Sequence, residues 1–76
     1  MRNNLNLIAN RINGLNLIGV RVVEDDGSVI VNIIGALDRV REVANIIHEQ
    51  IGHSDSDCLW INSNNGDNGE LTDFID

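Results

Sequence analysis

His48, His53, Asp55, Asp57 and Cys58 fall within eleven residues of the chain. Imidazole, carboxylate and thiolate are all competent metal ligands. Their spacing argues against a metal site: neither C-x2-C nor H-x3-H occurs, and the group straddles a helix end and the loop after it. A histidine near a helix C-terminus already complements the helix dipole without any ligand. The same residues suggest a thiol nucleophile with a base. Cys58, however, opens an apolar run, where a lone cysteine is a small core residue. No third orienting group or oxyanion donor accompanies it. The expectation is no catalytic residue, no metal and no enzymatic activity.

The stretch Asn64–Glu70 is rich in oxygen ligands, as calcium loops are. Aligned on D-x-[DN]-x-[DN]-G-x5-E with Gly69 as the invariant glycine, it puts Gly66 at the third position of the loop and Ile75 at the last. Neither can coordinate through its side chain, so an EF-hand is excluded and a flexible linker is the simpler reading. The phosphate-cradling patterns G-x-x-x-x-G-K-[ST] and G-x-G-x-x-G are also missing. No cofactor is expected.

Charge sharpens these exclusions. Residues 1–52 carry five Arg against six acids, and residues 53–76 carry six acids and no base, for a net charge of −7 over 76 residues. Such a chain repels phosphate backbones and anionic lipid, so direct nucleic-acid binding is not expected. It favours a protein partner with a basic surface. There is no lysine and no proline, and asparagine occurs twelve times. One cysteine permits no intrachain disulfide, which fits a reducing, cytoplasmic setting. No signal-peptide pattern is visible, and no apolar run is long enough to span a membrane.

Several elements must position these residues. Leu5, Ile8, Ile12 and Leu15 recur at helical spacing, which predicts a helix over residues 4–13, capped by Asn3 or Asn4 and stopped at Asn13-Gly14. Leu17–Val23 and Val29–Ile34 are β-branched runs flanking Glu24-Asp25-Asp26-Gly27-Ser28, a hairpin in which Asp-Gly supplies the positive-φ positions. Arg21 points to the face opposite Val20 and Val22. Gly35 ends the hairpin. Leu37, Val40, Val43, Ala44, Ile47 and Ile51 then trace one face of a helix over 37–51 that stops at Gly52. Cys58–Ile61 predicts a third strand, and from Asn62 the composition becomes that of a linker.

Residues Val20, Val22, Asp26, Gly27, Val29, Val31, Gly35, Leu37, Ala44 and Gly52 are spaced as in the BON domain, and residues 4–62 resemble that bacterial family. The resemblance implies a helix, hairpin, helix and strand in that order. It also implies non-enzymatic binding, often attributed to phospholipid, envelope or potassium association. After Gly52 the sequence departs from the family, with His53-Ser-Asp-Ser-Asp57 in place of an apolar pair.

The expected fold is therefore a small single α+β domain of order α-β-β-α-β over residues 1–62. It has a three-stranded sheet with two helices on one face, followed by an acidic flexible tail over 63–76. The expected role is that of a protein-interaction module, engaging a partner or a second copy through the sheet face or the acidic segment. In that segment Leu71, Phe74 and Ile75 would be apolar anchors, and Asp67, Glu70, Asp73 and Asp76 would face a basic surface. They could equally fold back onto the free sheet face. The alternative is a small acidic inhibitor, of the kind phages make, whose carboxylates mimic nucleic acid and block a basic enzyme channel.

Overall fold

Ile8, Ala9 and Ile12 form the buried side of α1 (Asn3–Asn13), and Leu7 faces outward. The computed structural model describes residues 3–56 and 58–75, apart from the side chains of Asn3, Asn4 and Ser54. The proposed asparagine cap of α1 lies in those undescribed side chains. The helix stops as expected, with the Gly14 N–H donating to Asn10 C=O at 2.9 Å.

The next element pair is the predicted hairpin. Strand β1 (Val20–Asp25) pairs antiparallel with β2 (Ser28–Ile33), in the register Val22↔Val31 and Asp25↔Ser28. The two connecting residues, Asp26 and Gly27, have φ of 52° and 83°. Positive φ at both central positions matches the right-handed twist of the flanking strands, and Asp-Gly adopts it at low cost.

Gly35 leads into α2 (Leu37–Ile51), which buries Val40, Val43, Ala44, Ile47 and Ile51. A Cβ on Gly35 would lie 2.8 Å from both Cβ and Cγ of Arg39, so the residue's lack of a side chain lets the helix start this close to the strand. The Arg39 guanidinium then donates to Ile18 C=O at 2.9 Å and pairs with Glu42 at 2.7 Å. At the far end of α2 the Gly52 N–H donates to His48 C=O, and Arg11 on α1 donates to Gln50 C=O at 2.8 Å. These bonds satisfy carbonyls that a helix terminus otherwise leaves unpaired.

A one-turn helix, α3 (His53–Ser56), replaces the expected polar loop. Ser56 is fully buried and its hydroxyl donates to Gly52 C=O at 2.8 Å, which closes the turn. Strand β3 (Leu59–Ser63) then pairs parallel with β2, with Ile30↔Trp60 and Asn32↔Asn62.

Two expectations are corrected beyond this point. The sheet has four strands rather than three, because β4 (Asn68–Glu70) pairs antiparallel with β3. The expected tail continues into a 3-10 helix (Leu71–Phe74) that packs against α2, so it covers the helix side of the sheet and not the free face. The physical reason lies in the asparagines and serines. The Asn64 Oδ1 accepts the Gly35 N–H at 3.0 Å, and the Asn64 N–H donates to Ile33 C=O at 3.1 Å. The buried Ser63 hydroxyl donates to Gly35 C=O and accepts the Asn65 N–H. Short polar side chains that bond nearby backbone stabilise turns. Leu71, with none of its surface exposed, then anchors the chain end in the core.

The sheet order is β1-β2-β3-β4. Val22, Val31, Ile33, Leu59 and Ile61 point toward the helices and join Ile8, Ile12, Val40, Val43, Ile47 and Leu71 in one apolar cluster. The opposite face of the sheet carries no helix among the described residues.

Candidate interaction surface

Among the described residues, the side chains with the most chemical potential lie around the end of α2 and in α3. His48 and His53 stand edge to face with ring centroids 5.6 Å apart. The exposed Cys58 thiol donates to Asp55 C=O at 3.0 Å. Asp57 lies outside the described residues. Among the described residues, no three His, Cys, Asp or Glu side chains are placed to hold a metal ion.

The acidic segment is also distributed rather than gathered. Asp67 is half-buried in the β3–β4 turn, where its carboxylate accepts from the Asn65 amide at 3.5 Å and its C=O accepts the Ser63 N–H. Glu70 and Asp73 are exposed. Leu71 is in the core, and Phe74 and Ile75 are half-buried against it. Asp76 lies outside the described residues. The three apolar side chains expected as partner anchors thus pack on their own domain.

What the fold does bring together is the open face of the sheet. Side chains alternate across a strand, and directly paired residues share a face. One row across this face reads Val23, Ile30, Trp60, Glu70, and the next reads Arg21, Asn32, Asn62, Asn68. Trp60 is 45% exposed and Val23 is 40% exposed, whereas Leu59 and Ile61 on either side of Trp60 are buried. In the second row the Asn62 amide donates to Asn32 Oδ1 at 3.1 Å. Arg21 forms no ion pair among the described residues. At the end of this row Gly19, Val20, Arg21, Asn32 and Ile34 line an open groove of about 470 Å³. Ile34, 69% exposed, continues the apolar surface there.

The edges of the sheet are less available than its face. At Val22 the outward N–H and C=O of β1 are both taken by the Asn13 side-chain amide, at 3.1 Å each. The Val20 N–H donates to Leu17 C=O. The other edge, β4, is three residues long. Short or capped edge strands resist pairing with a further chain.

Sequence reasoning points to a free sheet face but names neither Trp60 nor its neighbours. The signal is present in Leu59-Trp60-Ile61-Asn62-Ser63: strict alternation puts Trp60 and Asn62 opposite the two buried residues. The contributions of Asn68 and Glu70 depend on β4, for which the composition holds no cue. No family model, curated protein or solved structure matches the chain.

Proposed function

We propose that this chain is a non-catalytic protein-interaction module that docks through the open face of its sheet. The observation that carries this reading is the uncovered apolar row Val23–Ile30–Trp60, set on a sheet whose other face is filled by helices. A partly exposed tryptophan with β-branched neighbours is a natural anchor for an interface, and the flanking amides supply a hydrogen-bonding rim. The partner surface that complements it is apolar at its centre, with an acid to meet Arg21 and a base to meet Glu70. The net charge of −7 favours a partner that is basic overall. The helix, hairpin, helix and strand of residues 3–63 follow the order that the resemblance to BON domains implies, and binding without catalysis is the role that resemblance carries.

Affinity capture from the native host separates the face from the C-terminal segment. The wild type retains a partner that Trp60→Arg loses and that an Asp67→Asn/Asp73→Asn double variant keeps. Retention by Trp60→Arg with loss by the double variant would move the interface to the acidic segment.

A further inference from the structure

We infer that Asn65 is a site of spontaneous modification, where the chain converts its own asparagine into an aspartyl or isoaspartyl residue and so loosens the β3–β4 hairpin. The chemistry is intramolecular. The backbone nitrogen of the next residue loses its proton to solvent base and attacks the asparagine Cγ. An N–Cγ bond forms, the Cγ–Nδ2 bond breaks, and the amide leaves as ammonia. Water then opens the resulting succinimide on one side or the other. One cleavage restores the ordinary main chain with an aspartate, and the other leaves the main chain running through Cγ. Water is the co-reactant and ammonia the leaving group. A glycine after the asparagine favours the attack, because no side chain shields its nitrogen and its backbone bends readily.

Three Asn-Gly pairs occur, Asn13-Gly14, Asn65-Gly66 and Asn68-Gly69, and the fold treats them differently. At Asn13 both ends of the side-chain amide are held by Val22 at 3.1 Å, and the Gly14 N–H is held by Asn10 C=O at 2.9 Å. Asn68-Gly69 lies in β4, where Gly69 stands opposite Ile61. The bond from the Ser63 N–H to Asp67 C=O sets the alternation of this ladder, which turns the Gly69 N–H toward Ile61. A Cβ at Gly69 would also lie 3.5 Å from the Phe74 ring. Asn65-Gly66 occupies the turn between β3 and β4. Asn65 is exposed, and its amide reaches the Asp67 carboxylate at 3.5 Å, longer than an ordinary hydrogen bond. The Gly66 N–H donates to Ser63 C=O at 3.1 Å, but no atom lies within 4 Å of its Cβ position, so the turn has room to close the ring. Asp26-Gly27 in the hairpin turn offers the same geometry with a poorer electrophile, an ionised carboxylate in place of an amide.

The products act on the contacts that shape this turn. The Asn65 N–H donates to Ser63 Oγ at 3.0 Å, and Ser63 Oγ donates in turn to Gly35 C=O at 3.2 Å. Either product replaces an amide that attracts the Asp67 carboxylate with a second carboxylate that repels it, adding one negative charge to a net of −7. The isoaspartyl product also lengthens the backbone between the Asn65 and Gly66 N–H groups, so both cannot keep their bonds to Ser63. Strand β4 carries Asn68 and Glu70, and its loosening alters the edge of the open face while leaving Trp60 in place.

Ageing the folded protein in mildly alkaline buffer at physiological temperature, with peptide mapping by mass spectrometry, tests this. Deamidation at Asn65 is expected to run about tenfold or more ahead of Asn13 and Asn68, the factor that additional hydrogen bonds impose on local opening. In guanidinium chloride the three sites are expected to react within about threefold of one another, since the fold makes the distinction. Methylation by an isoaspartyl methyltransferase with S-adenosylmethionine identifies the isoaspartyl product. Asn65→Gln keeps an amide but closes the larger ring far more slowly, and is expected to leave the turn unmodified. The isolated isoaspartyl form is expected to unfold at lower denaturant than fresh protein and to exchange its β4 amide hydrogens faster. Asn13 or Asn68 reacting as fast as Asn65 in the folded protein, or Asn65 staying intact while the denatured chain reacts, overturns the site. An isoaspartyl form with the denaturation midpoint and exchange of fresh protein overturns the loosening of the hairpin.

Discussion

The Asn13 side-chain amide closes on Val22 like a short strand, donating to its C=O and accepting from its N–H at 3.1 Å each. One residue at the end of a helix thereby satisfies the outward backbone of an edge strand and ties α1 to the sheet. Each such bond contributes about 1 kcal/mol net. Asn13→Ala should therefore destabilise the domain by about 1–2 kcal/mol. For a chain of this size that corresponds to a melting temperature lower by roughly 5–15 °C. It should also uncover an edge that invites pairing. Thermal melts of the two proteins check the first effect, and light scattering checks the second. Equal melts would show that the pair contributes nothing.

Gly35→Ala tests the approach of α2 to the sheet. The new Cβ would fall 2.8 Å from backbone-proximal atoms of Arg39, at a φ of +156° that side chains disfavour. Strain of this kind costs about 1–3 kcal/mol. A urea midpoint unchanged from wild type would mean that the helix start shifts freely.

Leu71→Ala separates a folded C-terminal segment from a free tail. The side chain has no exposed surface, and truncation of such a leucine costs about 2–5 kcal/mol. Stability margins of small domains are of this size, so chemical denaturation should show a large loss or outright unfolding. Near-wild-type stability would return residues 71–75 to the status of a tail.

Much of this architecture is legible in the chain. The 3.6-residue period of Val40, Val43, Ala44, Ile47 and Ile51 gives α2, and Asp26-Gly27 between two β-branched runs gives the hairpin. The linker reading of Asn62–Gly69 fails because composition alone does not distinguish an asparagine facing water from one bonding backbone, as Asn64 does with Gly35. The one-turn helix at His53–Ser56 leaves no periodic signal, being shorter than two turns. The surface is half legible: alternation around Trp60 marks it as outward, but its pairing with Ile30 and Glu70 depends on register set by the whole fold.

Trp60→Ala should divide stability from association. The side chain is partly exposed and pairs with Ile30 across the strands, a contact worth about 0.2–1 kcal/mol. Folding should thus change little while binding through the face falls by about tenfold or more. As the chain's one tryptophan, Trp60 also reports directly: wild-type emission should shift to shorter wavelength as the face is covered. Constant emission on partner binding would place the contact elsewhere.

The charge-mimic alternative makes a separate prediction. Neutralising Asp67, Glu70, Asp73 and Asp76 together should leave capture of a partner by the apolar face within about threefold, Glu70 being a rim charge. Binding that collapses with these four changes, and falls steeply with salt, would identify carboxylates standing in for phosphates.

The most direct measurement is site-specific photo-crosslinking in the native host. A photoreactive residue is placed at Asn62, beside Trp60 on the open face, and in a second protein at Glu49, on the exposed side of α2. Position 62 should give a discrete protein adduct, with a second copy of the chain or another protein, and position 49 should give none. Adducts from position 49 with none from position 62 would contradict the claim that the open sheet face is the surface this protein uses.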